Sequence, residues 1–175
     1  HIMAHSRREY LLALGAAGTV GTAGCYNAVI RPSLIKQWSL EVGVNIRSSP
    51  TVVDATVYIG NGVGDLYAVD AVAGDQRWVS EIGTVFQQLS TPAVDDGTVY
   101  IGCENHTFYA MDANTGDKEW TFEADDRVFS PTVVDGTVYV GSADYNLYAL
   151  DAISGDLQWV FETNDSVITS PAVAD

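Results

Sequence analysis

From residue 36 onward, apolar and polar positions alternate in short runs, and no apolar stripe of helical period and useful length interrupts them. "TVYVGS" (Thr137–Ser142) alternates, and after a loop "NLYALDA" (Asn146–Ala152) alternates again. The turn "SGD" then leads into "LQWVFE" (Leu157–Glu162). Val, Tyr, Thr, Phe and Trp dominate these runs, and such side chains suit a pleated, half-buried surface. Asp-Gly at 135–136 and Ser-Gly-Asp at 154–156 punctuate them, as tight hairpins require. The pattern predicts four short antiparallel strands in each stretch of about 40 residues.

That unit recurs. Tryptophans fall at 38, 78, 120 and 159, with spacings of 40, 42 and 39. Ser/Thr-Pro pairs end at Pro50, Pro92, Pro131 and Pro171, with spacings of 42, 39 and 40. Two unrelated landmarks sharing one period mark an internal repeat, and four strands per period is a β-propeller blade. The expected fold is all-β, with about three complete blades (about 48–82, 90–123 and 129–162). Flanking strands at 37–42 and 169–175 add half a blade. A three-blade arc leaves apolar faces and strand edges open. Either the sequence is a piece of a longer chain, or arcs associate as a homo-oligomer that completes the ring.

One string is written three times: "AVDAVAGDQRW", "AMDANTGDKEW" and "ALDAISGDLQW". Its fixed positions are Ala68, Asp70, Gly74 and Trp78; Ala110, Asp112, Gly116 and Trp120; and Ala149, Asp151, Gly155 and Trp159. Ala-x-Asp-x-x-x-Gly-x-x-x-Trp resembles the tryptophan-docking motif of pyrroloquinoline-quinone-type (PQQ-type) propellers, over residues 36–175. The residue types suit blade-to-blade contact. Alanine keeps a sheet position thin for the neighbouring blade's indole. Aspartate accepts backbone hydrogen bonds in its own turn, glycine supplies a positive φ, and tryptophan buries a large ring whose N–H needs a partner. These residues are architectural.

Composition narrows the function. There are 23 acidic and 8 basic residues, a formal net charge of −15. Only Glu9 among the acids, but Arg7, Arg8 and Arg31 among the bases, precede residue 36, which leaves 22 acids against 5 bases in the repeats. A chain so poor in Lys and Arg is not built for nucleic acid or for anionic lipid. The acids are scattered through every repeat, a coat that resembles proteins of salt-loving archaea.

The first 35 residues read as an address. His1-Ile2 ahead of Met3 reads as a cloning remnant. Ser6–Leu12 ("SRREYLL") resembles a twin-arginine export motif with Arg7 and Arg8 as the pair. The Gly/Ala-rich run from Tyr10 to Gly24 is too short to span a bilayer. "TAGC" (Thr22–Cys25) resembles a lipobox that lipidates Cys25, with Thr22 departing from its usual larger aliphatic residue. Residues 26–35 form a tether. The expected location is the outer face of the cytoplasmic membrane, or outside the cell, with the lipid as the sole membrane contact.

Binding residues are expected in the loops, which vary between repeats while the strands do not. Arg47, Gln87, Asn105, His106 and Arg127 are the candidates. His106 is the one histidine outside the leader, so no histidine cluster exists for a transition metal. "DANTGD" (Asp112–Asp117) lacks the distal glutamate of a calcium loop and belongs to the docking motif. Cys103 reads as a small buried apolar residue.

Enzymes of the resembled family hold the quinone with calcium, a catalytic aspartate, a Glu/Asn pair and often a vicinal disulfide. None of these maps onto this sequence. The expectation is a non-catalytic scaffold with protein partners and no cofactor, similar to the propeller lipoprotein of outer-membrane-protein assembly. Two alternatives stay open: part of a quinoprotein dehydrogenase that uses PQQ with calcium, and a carbohydrate-binding module.

Overall fold

The computed structural model describes residues 37–42, 45–83 and 87–174. The export pair Arg7–Arg8, Cys25 and the 26–35 tether lie outside the described residues. Every regular element among the described residues is a β-strand, and no helix there is long and apolar enough to cross a membrane.

The strands form three four-stranded antiparallel sheets, each in simple sequence order. The first holds β1 (Thr51–Val53), β2 (Thr56–Gly60), β3 (Asp65–Asp70) and β4 (Gln76–Glu81). The second holds β5 (Ala93–Asp95), β6 (Thr98–Gly102), β7 (Thr107–Asp112) and β8 (Lys118–Glu123). The third holds β9 (Thr132–Val134), β10 (Thr137–Gly141), β11 (Asn146–Asp151) and β12 (Leu157–Glu162). β1 meets β5 and β5 meets β9, so the short first strands stand side by side on the inner edge of the arc. The fold is a partial β-propeller of four-stranded blades.

Local chemistry sets each hairpin. The first turns place two residues at positive φ: Asp54-Ala55 (46° and 56°), Asp96-Gly97 (43° and 80°) and Asp135-Gly136 (48° and 72°). Two successive left-handed residues are the mark of type I′ turns, whose twist matches the strands they join. In the third hairpin of each blade the ladder slips by one residue beside Ala68, Ala110 and Ala149. The residue before each tryptophan (Arg77, Glu119, Gln158) is the extra one of this bulge.

The core lies in the seams between blades. One cluster joins Tyr58, Leu66 and Trp78 of the first blade to Val99, Ile101 and Met111 of the second. The other joins Tyr100 and Phe108 of the second blade to Val138, Val140 and Leu150 of the third. Alternation along β6 explains the division: Val99 and Ile101 face backward, Tyr100 faces forward. Cys103 is fully buried in the first cluster as a free thiol.

The flanking segments differ from expectation. Residues 37–42 and 169–174 are described without any strand pairing, where the sequence pattern predicts strands. A strand needs a neighbour to bond, and among the described residues neither segment has one beside it. They still occupy blade-like places. Thr132 Oγ1 donates to the Pro171 carbonyl just as Thr51 Oγ1 donates to that of Pro92. Trp38 sits against the first blade as Trp78 sits against the second.

Candidate functional site

Two constellations matter: the repeated string at the seams, and the loop face above them. In the string, Asp70 Oδ1 accepts from the Val72 and Ala73 amides at 2.9 and 2.7 Å. Asp112 holds Asn114 and Thr115 at 2.8 Å each, and Asp151 holds Ile153 and Ser154 at 3.0 and 2.9 Å. These bonds favour the charged form and hold all three carboxyls below the ordinary aspartate range, led by the amide of Ala73, Thr115 or Ser154. Arg77 adds to the effect at Asp70, with Nη2 at 3.0 Å.

Each turn then presents its glycine to the indole of the blade before. A Cβ on Gly116 would lie 2.7 Å from Trp78 Cε3, and one on Gly155 would lie 2.6 Å from Trp120 Cδ2. These glycines also sit at φ of 77° and 75°, so backbone freedom and close approach both require them. The indole N–H groups donate across the seam to carbonyls at 3.0–3.1 Å: Trp38 to Ala71, Trp78 to Ala113 and Trp120 to Ala152.

This corrects the role expected of the first alanine. Ala68, Ala110 and Ala149 pair in the ladder with the tryptophan of their own blade, and the next blade's glycine takes the indole. The sequence reading missed the acceptors Ala71, Ala113 and Ala152, although alanine follows the aspartate in all three copies. It also missed Tyr58 and Tyr100, whose hydroxyls donate to the same Ala113 and Ala152 carbonyls at 3.2 and 3.0 Å.

On the loop face, two of the five candidates come together. Arg127 lies between Glu104 Oε1 (Nη1 at 3.8 Å) and Asp126 Oδ1 (Nε at 3.9 Å). His106 Nε2 lies 3.8 Å from the same Asp126 oxygen. Glu104 is tied to the loop of Gln87, since its Oε2 accepts from the Gln88 amide at 3.2 Å. Asn105 turns inward instead: Oδ1 accepts from Thr107 N, and Nδ2 donates to Tyr109 Oη at 2.7 Å. Arg47 is exposed and makes no ion pair among the described residues. Glu104 and Asp126, which organise this cluster, escaped the sequence reading.

The β2–β3, β6–β7 and β10–β11 turns share one further feature. Gly64, His106 and Tyr145 occupy equivalent corners with φ of 88°, 69° and 72°. Glycine takes that conformation at no steric cost, whereas a histidine or tyrosine there is strained. Both side chains are exposed; His106 stands beside Asp126, and Tyr145 follows Asp144 in the chain. Beneath them Tyr148 donates to Asp144 Oδ2 at 2.7 Å, and burial together with that carboxylate pushes its phenol up to about 12. The opposite face carries a cleft of about 490 Å³ at the second seam, lined by Asp95, Asp96, Glu119, Tyr100 and Trp120.

Comparison with known proteins settles the kinship. The family model described as outer membrane protein assembly factor BamB matches residues 35–126 and, one repeat later, 80–174. The chain belongs to this PQQ-type propeller repeat family. BamB from Moraxella catarrhalis superimposes with a TM-score of 0.67 at 26% identity, over 77% of this chain and 42% of that one. A quinohemoprotein alcohol dehydrogenase from Pseudomonas putida gives 0.60 at 26% identity, over 70% of this chain and 21% of the enzyme. The computationally designed Ika4 protein gives 0.65 at 17% identity over 75% of this chain and 83% of that one, a likeness of fold alone. The chain thus spans less than half of the natural proteins it matches. No curated protein matches it.

Proposed function

We propose that the chain is a non-catalytic, exported β-propeller scaffold that binds protein partners through its loop face. The observation that carries this is the strained pair His106 and Tyr145, held at the corner that Gly64 occupies without strain in the first blade. Strained backbone at exposed side chains clusters at functional sites, and these two corners lack the type I′ hairpin geometry that accounts for the other positive-φ side chains. The seams are uniform from blade to blade, and the loops hold the variation. The match to an assembly factor family supports protein partners. Export through Arg7–Arg8 and anchoring through Cys25 place this face outside the cytoplasmic membrane, and acyl chains on Cys25 in the membrane-extracted protein would establish the anchor by mass spectrometry. In the same reading, arcs share a ring as a homo-oligomer.

The test is a photo-crosslinking residue at Tyr145, compared with one at Ile153, which is 90% exposed at a turn bordering the cleft of the opposite face. A discrete protein adduct from 145 and none from 153 supports the loop face. Equal labelling from both sites, or none, overturns it.

The likeness to a quinohemoprotein dehydrogenase favours a second reading, part of a PQQ- and calcium-dependent enzyme. Among the described residues no three His, Cys, Asp or Glu side chains group together, so in this reading a calcium ion would draw on amide and backbone carbonyl oxygens as well. A shift in the melting temperature on adding PQQ with calcium, absent with either alone, would support that reading.

A further inference from the structure

The cleft at the second seam has both its walls within the described blades: residues 95–120 of the second face residues 136–154 of the third. Its volume of about 490 Å³ suits a small organic molecule. Asp95, Asp96 and Glu119 line it, and none of its lining residues is Lys, Arg or His. All three charges are felt at one point of the wall. Burial pushes the Tyr100 phenol above its ordinary value, and Asp95, Glu119 and Asp96 add to that rise while Thr98 opposes it.

The side-chain donors of the lining are already committed inside the protein. Tyr100 Oη and Trp120 Nε1 both donate to the Ala152 carbonyl, at 3.0 and 3.1 Å. Thr98 Oγ1 donates to Glu119 Oε2 at 3.0 Å, and Ser154 Oγ donates to Asp156 Oδ2 at 2.9 Å. Asp95 and Asp96 enter no ion pair among the described residues. The cleft therefore offers acceptors. An anion would find no side-chain donor there, whereas an ammonium group brings three donors and no acceptor. Nor do the carboxylates group closely enough to share a metal ion. Charge spread along a stem fits them better than charge at a point.

The other blades separate this cleft from the general acidity of the surface. Asp95 pairs with Thr98, and in the same ladder position the first blade has Val53 and the third Val134. Glu119 precedes its tryptophan, where the first blade has Arg77 and the third Gln158. Arg77 supplies its seam with a cation of its own, bound to Asp70 Oδ2 at 3.0 Å. Two of the three charges are thus particular to the second seam. On the facing wall Ile153, 90% exposed, stands where the second blade has Asn114, and gives the cleft an apolar rim.

The acids also flank a strand. Directly paired residues of an antiparallel ladder project to one face, so Asp95 stands beside Thr98 from β5. Glu119 reaches the same threonine from β8. A linear cation laid across β6 meets a carboxylate on each side, with Tyr100, Trp120 and Ile153 along its stem.

We propose that this cleft binds a small linear diamine, two ammonium groups joined by an apolar stem. Asp95 with Asp96 holds one end and Glu119 the other. The site lies on the face opposite the protein-binding loops and goes beyond that reading, since it needs no protein partner.

Titration calorimetry of the full chain with cadaverine, at fixed ionic strength in KCl, tests this beside the neutral diol of the same length. Cadaverine should bind saturably at one site per chain, and the diol should give no binding heat. Glu119→Arg installs the residue of the first blade, and Asp95→Val that of the other two. Each should weaken cadaverine binding by on the order of tenfold, the loss of one hydrogen-bonded charge. In isotope-labelled protein the Trp120 indole N–H signal should move as the site fills, and that of Trp38, at another seam, should stay. If Glu119→Arg does not melt cooperatively, Asp95→Val gives the decision, because valine already stands in that ladder position twice. Absence of saturable binding overturns the proposal, as does equal binding of the diol. Full affinity in the folded variants, or an unmoved Trp120 signal, overturns the cleft as the site.

Discussion

At Gly116 one hydrogen atom in place of a methyl group lets two blades meet. Gly97 isolates the two demands made on such a glycine, because its φ is 80° yet an added Cβ would meet nothing within 4 Å. Gly97→Ala should therefore cost about 1–2 kcal/mol, the penalty of a left-handed residue with a Cβ. Gly116→Ala carries that penalty and also drives Cβ to 2.6 Å from Ser80 Oγ and 2.7 Å from the Trp78 ring. Overpacking adds about 1–3 kcal/mol. Urea unfolding of the two variants measures the difference. Equal destabilisation would mean that the indole contact contributes nothing. The first blade already carries the milder change, with Ala55 at φ 56° in its type I′ turn.

At the scale of elements, the third-hairpin turns couple the fold to pH. Asp70, Asp112 and Asp151 accept amide bonds only when ionised to full effect, and their carboxyls are held below the ordinary value of 3.8. Between the folded and unfolded values the native chain binds fewer protons, so stability rises with pH there. The contribution is complete above the ordinary value and is lost as pH falls through the lower folded values. Stability measured by urea unfolding should drop on acidification below about pH 3.8. Asn at all three positions keeps an amide acceptor and removes the titration, so this variant should show a shallower acid limb. An unchanged limb would mean that the titrating acids lie elsewhere. Tyr148, at about 12, stays protonated through the whole range.

At the scale of the molecule, the repeats carry 22 acids against 5 bases, a surplus that the few ion pairs among the described residues do not offset. The Arg127 and His106 pairs are half exposed and span 3.8–3.9 Å, so they add little stability in water. Self-repulsion is the larger effect, and salt screens it over a Debye length that falls from about 10 Å at 0.1 M to about 3 Å at 1 M. The melting temperature should climb by several degrees with KCl, with most of the rise below about 1 M. A flat or falling curve would remove high salt as the setting of this surface.

The sequence by itself determined the blade. Strand runs, type I′ turn residues and the aspartate–glycine turn lie within a dozen residues of one another, and the chemistry at such distances is local. It also marked the tryptophans, since a repeated large indole has few uses other than burial. What the first alanine does was decided only in three dimensions, because the ladder sets it beside its own tryptophan while the next blade brings the glycine. The acceptors of the indoles were hidden because they are backbone carbonyls, which leave no mark on residue identity. The loop cluster was hidden for another reason: Glu104 and His106 meet Asp126 and Arg127 because the turn of one hairpin lies beside the connection to the next blade. Adjacency of that kind belongs to the packing of sheets, and no spacing along the chain encodes it.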